Sequence, residues 1–202
     1  RKAQSELRGV LVPFVPISAS WYGSQELKTL HRAEWLGGWR QPQGRSLFSG
    51  LYVNELMLKL TAREDPHPAL YDALATVMRE IAEQANHVAA LRVFEWRLMQ
   101  ELGLAPDLQQ DDNDTEIIGE QRYWLAPQQP VQTYSATIAE TGVGMAVDGE
   151  TLISLREGRF HSGNHLQQAL QLNRLLIDFY LPQGIKSRQV LQQMQAFQTG
   201  IV

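Results

Sequence analysis

The sequence predicts an α+β protein that is mostly α, and three observations carry that prediction. From Ser46 onward, leucine-rich segments repeat their apolar positions at the three- and four-residue spacing of buried helix faces. Ahead of them, residues 10–22 (VLVPFVPISASWY) concentrate β-branched and aromatic side chains, as strands do. Between the helical segments, residues 104–130 lose periodicity and collect Asp107, Asp111, Asp112, Asp114, Glu116 and Glu120, which marks an irregular acidic stretch.

Taken in order, residues 10–22 read as an edge or bulged strand, because Pro13 and Pro16 have no N–H for a central ladder. Gly23-Ser24 supplies a turn, and residues 26–34 return as a second strand. Two strands cannot close a barrel. Residues 35–44 (WLGGWRQPQG) are punctuated by Gly and Pro and read as a linker. Trp35 and Trp39 are able to stack on bases there, although pinning the linker onto the neighbouring domain is the commoner role and the favoured one. Residues 46–60 are apolar nearly all round, the mark of a helix buried on most sides. Asn54 and Glu55 in its middle require partners, and Gly50 leaves room for a close backbone approach. Arg63-Glu64-Asp65-Pro66-His67-Pro68 stops this helix.

Residues 69–85 and 88–102 follow as helices, with stripes of Leu70, Leu74, Val77 and Ile81 and of Leu91, Phe94, Leu98 and Leu102. Gly103 ends the second. The acidic stretch 107–120 lacks the central Gly and final Glu of a calcium loop and is expected to be mobile. Residues 122–125 and 131–138 read as short strands or extended chain. Gly142-Val143-Gly144 is a turn, since it lacks the further Gly and the Lys-Ser/Thr of a nucleotide loop. Residues 149–155, 166–181 and 185–197 are the remaining helices. His161 and His165 have the spacing of two ligands on one helix face, but Gly163 and Asn164 between them are poor helix formers, so a helix start is expected there rather than a metal site.

At 202 residues the chain can bury a sizeable core, as one large domain or two modest ones. Apolar content of 44% and charged content of 20% are those of an ordinary globular protein. No apolar run reaches the ~18–20 residues that span a bilayer, so no membrane partner is expected. The absence of cysteine excludes a disulfide framework and any thiolate metal site, and it fits cytoplasmic residence. A net charge of −4 argues against nucleic acid. Its distribution argues the other way: residues 1–45 hold seven basic and three acidic side chains, a net of +4, against eleven and nineteen in residues 46–202, a net of −8. A small basic module joined to an acidic partner-binding body has this asymmetry, and chance in a short segment explains it equally well.

Four motifs in order resemble the RecO family of bacterial recombination mediators. Gly50-Leu51-Tyr52-Val53-Asn54-Glu55-Leu56 with Arg63-Glu64-Asp65 resembles the opening of that family's helical domain. Leu7-Arg8-Gly9, Pro13-Phe14 and Leu27-Lys28-Thr29-Leu30 resemble the last strands of its N-terminal OB-fold. Leu91-Arg92, Phe94-Glu95 and Glu101-Leu102-Gly103 resemble a mid-domain helix, and Tyr180-Leu181 with Ile185-Lys186-Ser187-Arg188 resembles the C-terminal helix pair. The resemblance implies the C-terminal part of an OB-fold over residues 1–36, a linker over 37–45 and a predominantly helical domain over 46–202. It also implies earlier OB strands, roughly 40 residues, ahead of Arg1. Some family members bear a cysteine zinc site in the region of the acidic stretch; this cysteine-free sequence carries none over, and no cofactor is expected.

The implied activity is non-catalytic. Such a protein binds single- and double-stranded DNA, is recruited by the C-terminal tail of the single-strand DNA-binding protein, promotes strand annealing and helps RecR load the recombinase. It resides in the bacterial cytoplasm, at the nucleoid. The DNA-binding candidates are Arg8 and Lys28, matched to the motifs, and Arg1, Lys2 and Arg32, chosen on charge and position. Arg92 matches the family's basic residue for the tail, which a guanidinium can hold by its carboxylate. Without the resemblance, an internal pair with Glu95 or Glu101, or a solvated charge, is the better reading. Lys186 and Arg188 lie near a helix N-terminus, where the dipole disfavours cations. They either contact an anionic partner or offset the acidic body. The alternative function is a helical protein–protein interaction scaffold with no DNA-binding activity of its own. A helical enzyme is the third reading; its histidines, His31, His67, His87, His161 and His165, are scattered and no catalytic motif gathers them.

Overall fold

The computed structural model describes residues 6–83, 87–140 and 142–199. A 3₁₀ turn (Glu6–Arg8) leads to an antiparallel hairpin of β1 (Ile17–Tyr22) and β2 (Thr29–Trp35), whose register shifts between Ser20 and Trp21. The first strand is shorter than the sequence predicts. Phe14 sits at φ 67 directly after Pro13, so the chain turns where the ladder was expected to begin. Both strands are exposed along most of their length, and Ala33 is their buried residue.

Among the described residues, seven helices and a small sheet follow. Helices α1 (Arg45–Leu60), α2 (Pro68–Glu83) and α3 (His87–Glu101) occupy the predicted segments. Each packs on the next, and Pro68 opens α2, where its missing N–H costs nothing. Strands β3 (Arg122–Leu125), β4 (Gln132–Thr133) and β5 (Met145–Asp148) make an antiparallel sheet in the order β4-β3-β5. The second predicted strand, 131–138, is only two residues of strand, because Ser135 caps the one-turn helix α4 (Ala136–Ala139) through its side chain. Helix α5 (Gly149–Glu157) starts directly from β5 and ends at Gly158, which takes the left-handed conformation at φ 74. Helix α6 (Gly163–Tyr180) starts one turn earlier than predicted, since the Ser162 hydroxyl accepts from the Asn164 and His165 amides. His165 therefore lies in the first turn and His161 outside the helix. Helix α7 (Lys186–Thr199) closes the chain against α1.

One core joins these elements. Val53 and Leu56 of α1, Leu70 and Ile81 of α2, Phe94, Trp96 and Leu98 of α3, Leu152 of α5 and Leu172 and Leu176 of α6 are all fully or almost fully buried in it. Each such side chain contributes about 1.5–3 kcal/mol on burial.

The acidic stretch is tied down rather than loose. The Asp111 carboxylate accepts from the amides of Asn113 and Thr115 and from the Thr133 hydroxyl, which holds it below the usual carboxylate range. Asp112 accepts from the side chain of Gln132, and its amide donates to the Val131 carbonyl. Leu108 and Ile117 on either side enter the core. Composition hid this order because acidic groups, read as solvated, serve here as acceptors for a turn.

The segment before the hairpin is fastened to the helices through Trp39 and Phe14. Trp39 donates from its indole nitrogen to the Phe14 carbonyl at 2.8 Å, and Arg79 of α2 lies over its ring. The Phe14 ring in turn packs against Gly50 of α1, so an aromatic ring, not a backbone, uses the room that glycine leaves. Trp39 is thus held between Phe14 and α2, whereas Trp35 remains exposed.

Candidate functional site

Helices α1, α3, α6 and α7 converge on a pocket of about 160 Å³. Its apolar walls are Phe48, Leu91, Leu170 and Leu191, one from each helix, and all but Leu91 remain partly exposed. Three guanidinium groups line the same space, those of Arg92, Arg174 and Arg188. Helix α3 delivers Arg92, α6 delivers Arg174 and α7 delivers Arg188, and the core packing of these helices fixes where the three side chains meet.

A buried polar network forms the floor. Glu95, 1% exposed, accepts from the Tyr52 hydroxyl at 2.6 Å, from Arg92 at 2.7 Å and from the Asn173 amide at 2.9 Å. Asn173 also donates to the Arg92 carbonyl. Arg188 continues the chain: it donates to the Tyr52 oxygen at 2.8 Å and to Asp178 at 2.8 Å, with its guanidinium over the Tyr52 ring. Burial, reinforced by the Glu95 carboxylate, pushes the Tyr52 hydroxyl far above its ordinary range, so it stays a proton donor. Burial alone would lower the pKa of Arg188; Tyr52, Asp178 and Glu95 reverse that and keep it charged.

The three cations differ in what they have left to give. Arg92 is buried and already paired with Glu95, the internal partner that spacing along one helix allows, yet its Nε has no hydrogen-bond partner. Arg188 is partly committed to Asp178. Arg174 is exposed and makes no side-chain hydrogen bond or ion pair among the described residues. Sequence reasoning missed Arg174. Its position on the polar side of the α6 stripe looks like any solvated arginine, and only the meeting of four helices gives it neighbours. Chemically, an apolar-walled cleft rimmed by guanidinium groups suits an apolar side chain that carries a carboxylate beside it.

The other predicted residues lie apart from this pocket. The Lys186 amide donates to Glu55 while its ammonium is exposed and unpaired among the described residues. Lys28 sits in the turn between β1 and β2, also exposed and unpaired among the described residues. Arg32 projects from β2 and pairs with Glu34. Arg8 is exposed at the end of the 3₁₀ turn. Arg1 and Lys2 lie outside the described residues. The hairpin therefore brings Lys28 and Arg32 onto one element, and beside them it exposes Trp21, Tyr22 and Trp35.

Residues 41–189 match the family described as "Recombination protein O C terminal". The chain is 60% identical over 202 residues to a DNA repair protein RecO of Neisseria gonorrhoeae, covering 98% of this chain and 81% of that one. It is 60% identical to a RecO of Neisseria meningitidis over 98% of this chain and 76% of the relative, and 38% identical to a RecO of Chromobacterium violaceum over 97% and 81%. Among the described residues, no helix is long and apolar enough to cross a membrane.

Proposed function

This chain belongs to the RecO family of DNA repair proteins, and from that premise we propose that it is a non-catalytic recombination mediator working at the nucleoid. In this reading residues 46–202 form the helical domain that receives partners, and residues 1–36 are the OB-fold portion that meets DNA across the linker 37–45. The protein is recruited through the acidic tail of the single-strand DNA-binding protein, anneals the coated strands and helps RecR load the recombinase.

The observation that carries this reading is the pocket. Its apolar walls take the tail's terminal aromatic ring, and Arg174 and Arg188, with Arg92 behind them, receive the terminal carboxylate and the acidic residues before it. Each charge-assisted contact contributes about 1.5–3 kcal/mol. For DNA, Arg8, Lys28 and Arg32 offer phosphate contacts, while the exposed rings of Trp21, Tyr22 and Trp35 offer faces on which bases stack. Neither task requires an active-site residue.

The test is anisotropy titration of a labelled acidic peptide ending in Pro-Phe. Arg174→Glu, an exposed and therefore fold-neutral change, is expected to weaken binding about tenfold or more. Wild-type protein that ignores the peptide would remove the recruitment step. One observation favours a second reading, a scaffold without its own DNA affinity: Arg32, a DNA-binding candidate, already pairs with Glu34 of the same strand. Salt-sensitive binding of single-stranded DNA decides between the two.

A further inference from the structure

The pocket owes three of its lining residues, Ser187, Arg188 and Leu191, to the first turns of α7. Those turns carry two cations, Lys186 and Arg188, beside the positive end of the helix dipole, and they follow a five-residue connection after α6. A helix start of this composition does not hold itself in place. Ile185, the residue before its first turn, has an apolar side chain that cannot accept from the opening amides.

The missing cap comes from another helix. Glu55 of α1 accepts from the Lys186 amide at 2.7 Å through one carboxylate oxygen and from the Ser187 amide at 2.8 Å through the other. One turn along α1, Lys59 pairs with Glu55 at 2.9 Å and donates to the Gly184 carbonyl at 2.8 Å. Glu55 and Lys59 thus grip the α6–α7 turn at its amides and its carbonyl together. Partial burial alone would raise the Glu55 pKa, but the Lys59 ammonium and the two amides outweigh it and draw it down to about 2.

We propose that Glu55 is a positioning residue for the pocket: it never touches the ligand, but by capping α7 from α1 it holds Arg188 and Leu191 in the binding wall. This inference rests on the recruitment reading given above. Glu55→Ala frees two amides and removes the counter-charge to Lys59, so α7 spends part of its time displaced and the pocket loses that wall. Affinity then falls in proportion to the docked fraction, about tenfold if a tenth of the molecules keep α7 in place.

The experiment titrates the acidic peptide ending in Pro-Phe into wild type, Glu55→Ala, Glu55→Gln and Val147→Ala, with amide exchange of Lys186 and Ser187 followed in each. Glu55→Ala is expected to bind about tenfold more weakly and to lose protection at those two amides. Glu55→Gln, which keeps an acceptor oxygen, should lose less of both. Val147→Ala cuts the core at β5 and lowers stability, but is expected to keep the affinity, which separates positioning from general destabilisation. Glu55→Ala binding as tightly as a binding wild type overturns the inference while the recruitment reading stands. Equal weakening by Val147→Ala also overturns it. A wild type that does not bind overturns both.

Discussion

Arg92 and Glu95 form an ion pair whose side chains are 7% and 2% exposed, at 2.7 Å, one helical turn apart. Removing one partner of such a pair strands the other charge in the interior, at a cost of about 3–5 kcal/mol. Arg92→Met leaves the Glu95 carboxylate with only the Tyr52 hydroxyl and the Asn173 amide, and Glu95→Met leaves Arg92 with no acceptor at all. The double variant strands no charge and costs Tyr52 and Asn173 one hydrogen bond each, about 1 kcal/mol apiece. The two single losses together should therefore exceed the double loss by about 4 kcal/mol or more, which is the coupling energy between the two sites. With a urea slope of about 2 kcal/mol/M, each single variant moves the unfolding midpoint down by about 2 M, and the double variant moves it by less than the two shifts together. Urea titration of the four proteins, followed by tryptophan fluorescence with Trp96 buried on the same helix, measures this directly. Single losses below 1 kcal/mol, or strict additivity, would refute the pairing. The result also bears on any partner assay, because Arg92→Ala perturbs the fold as well as the pocket, whereas Arg174 reports on binding alone.

Three further outcomes are expected. The folded pKa of Glu55 lies below its ordinary 4.5, so its contribution to α7 docking is complete above that value and declines as pH falls toward about 2; exchange of the Lys186 and Ser187 amides across pH 5 to 2 should show α7 loosening in that window. Gly149→Ala places a methyl carbon 1.9 Å from the Ile118 carbonyl oxygen and is expected to destabilise by about 3 kcal/mol or more, while Gly50→Ala meets only the Phe14 ring and Met78 at 3.5 Å or beyond and should gain about 0.5–1 kcal/mol of helix propensity, both read from thermal unfolding. Asp111→Ala removes the acceptor for two amides and a hydroxyl, and limited proteolysis should then cut residues 107–120 faster than in wild type.

The helices were legible because Leu, Val and Ile recur along them with a period that survives in one dimension. Strand β5 was not: four residues, Met145–Asp148, hold too few alternations to stand out, and the glycines before them look only like a turn. The acidic stretch misled because a carboxylate that accepts from its own neighbours has the same composition as one in water. At the pocket, Arg92 and Arg188 were visible, the first through its motif and the second through its misfit with the helix dipole. That misfit is answered inside the chain by Glu55, 131 residues before the Lys186 amide. Arg174 was silent, since nothing in its own helix distinguishes it from a solvated arginine.

The turn around Asp111 has a consequence for the conditions this protein tolerates. Its closure depends on a carboxylate, two amides and a hydroxyl, and the chain has no thiol to be oxidised or metallated. Thiol oxidants therefore find nothing to act on in that closure. Strong acid opens it, because a protonated Asp111 accepts its neighbours' hydrogen bonds far more weakly.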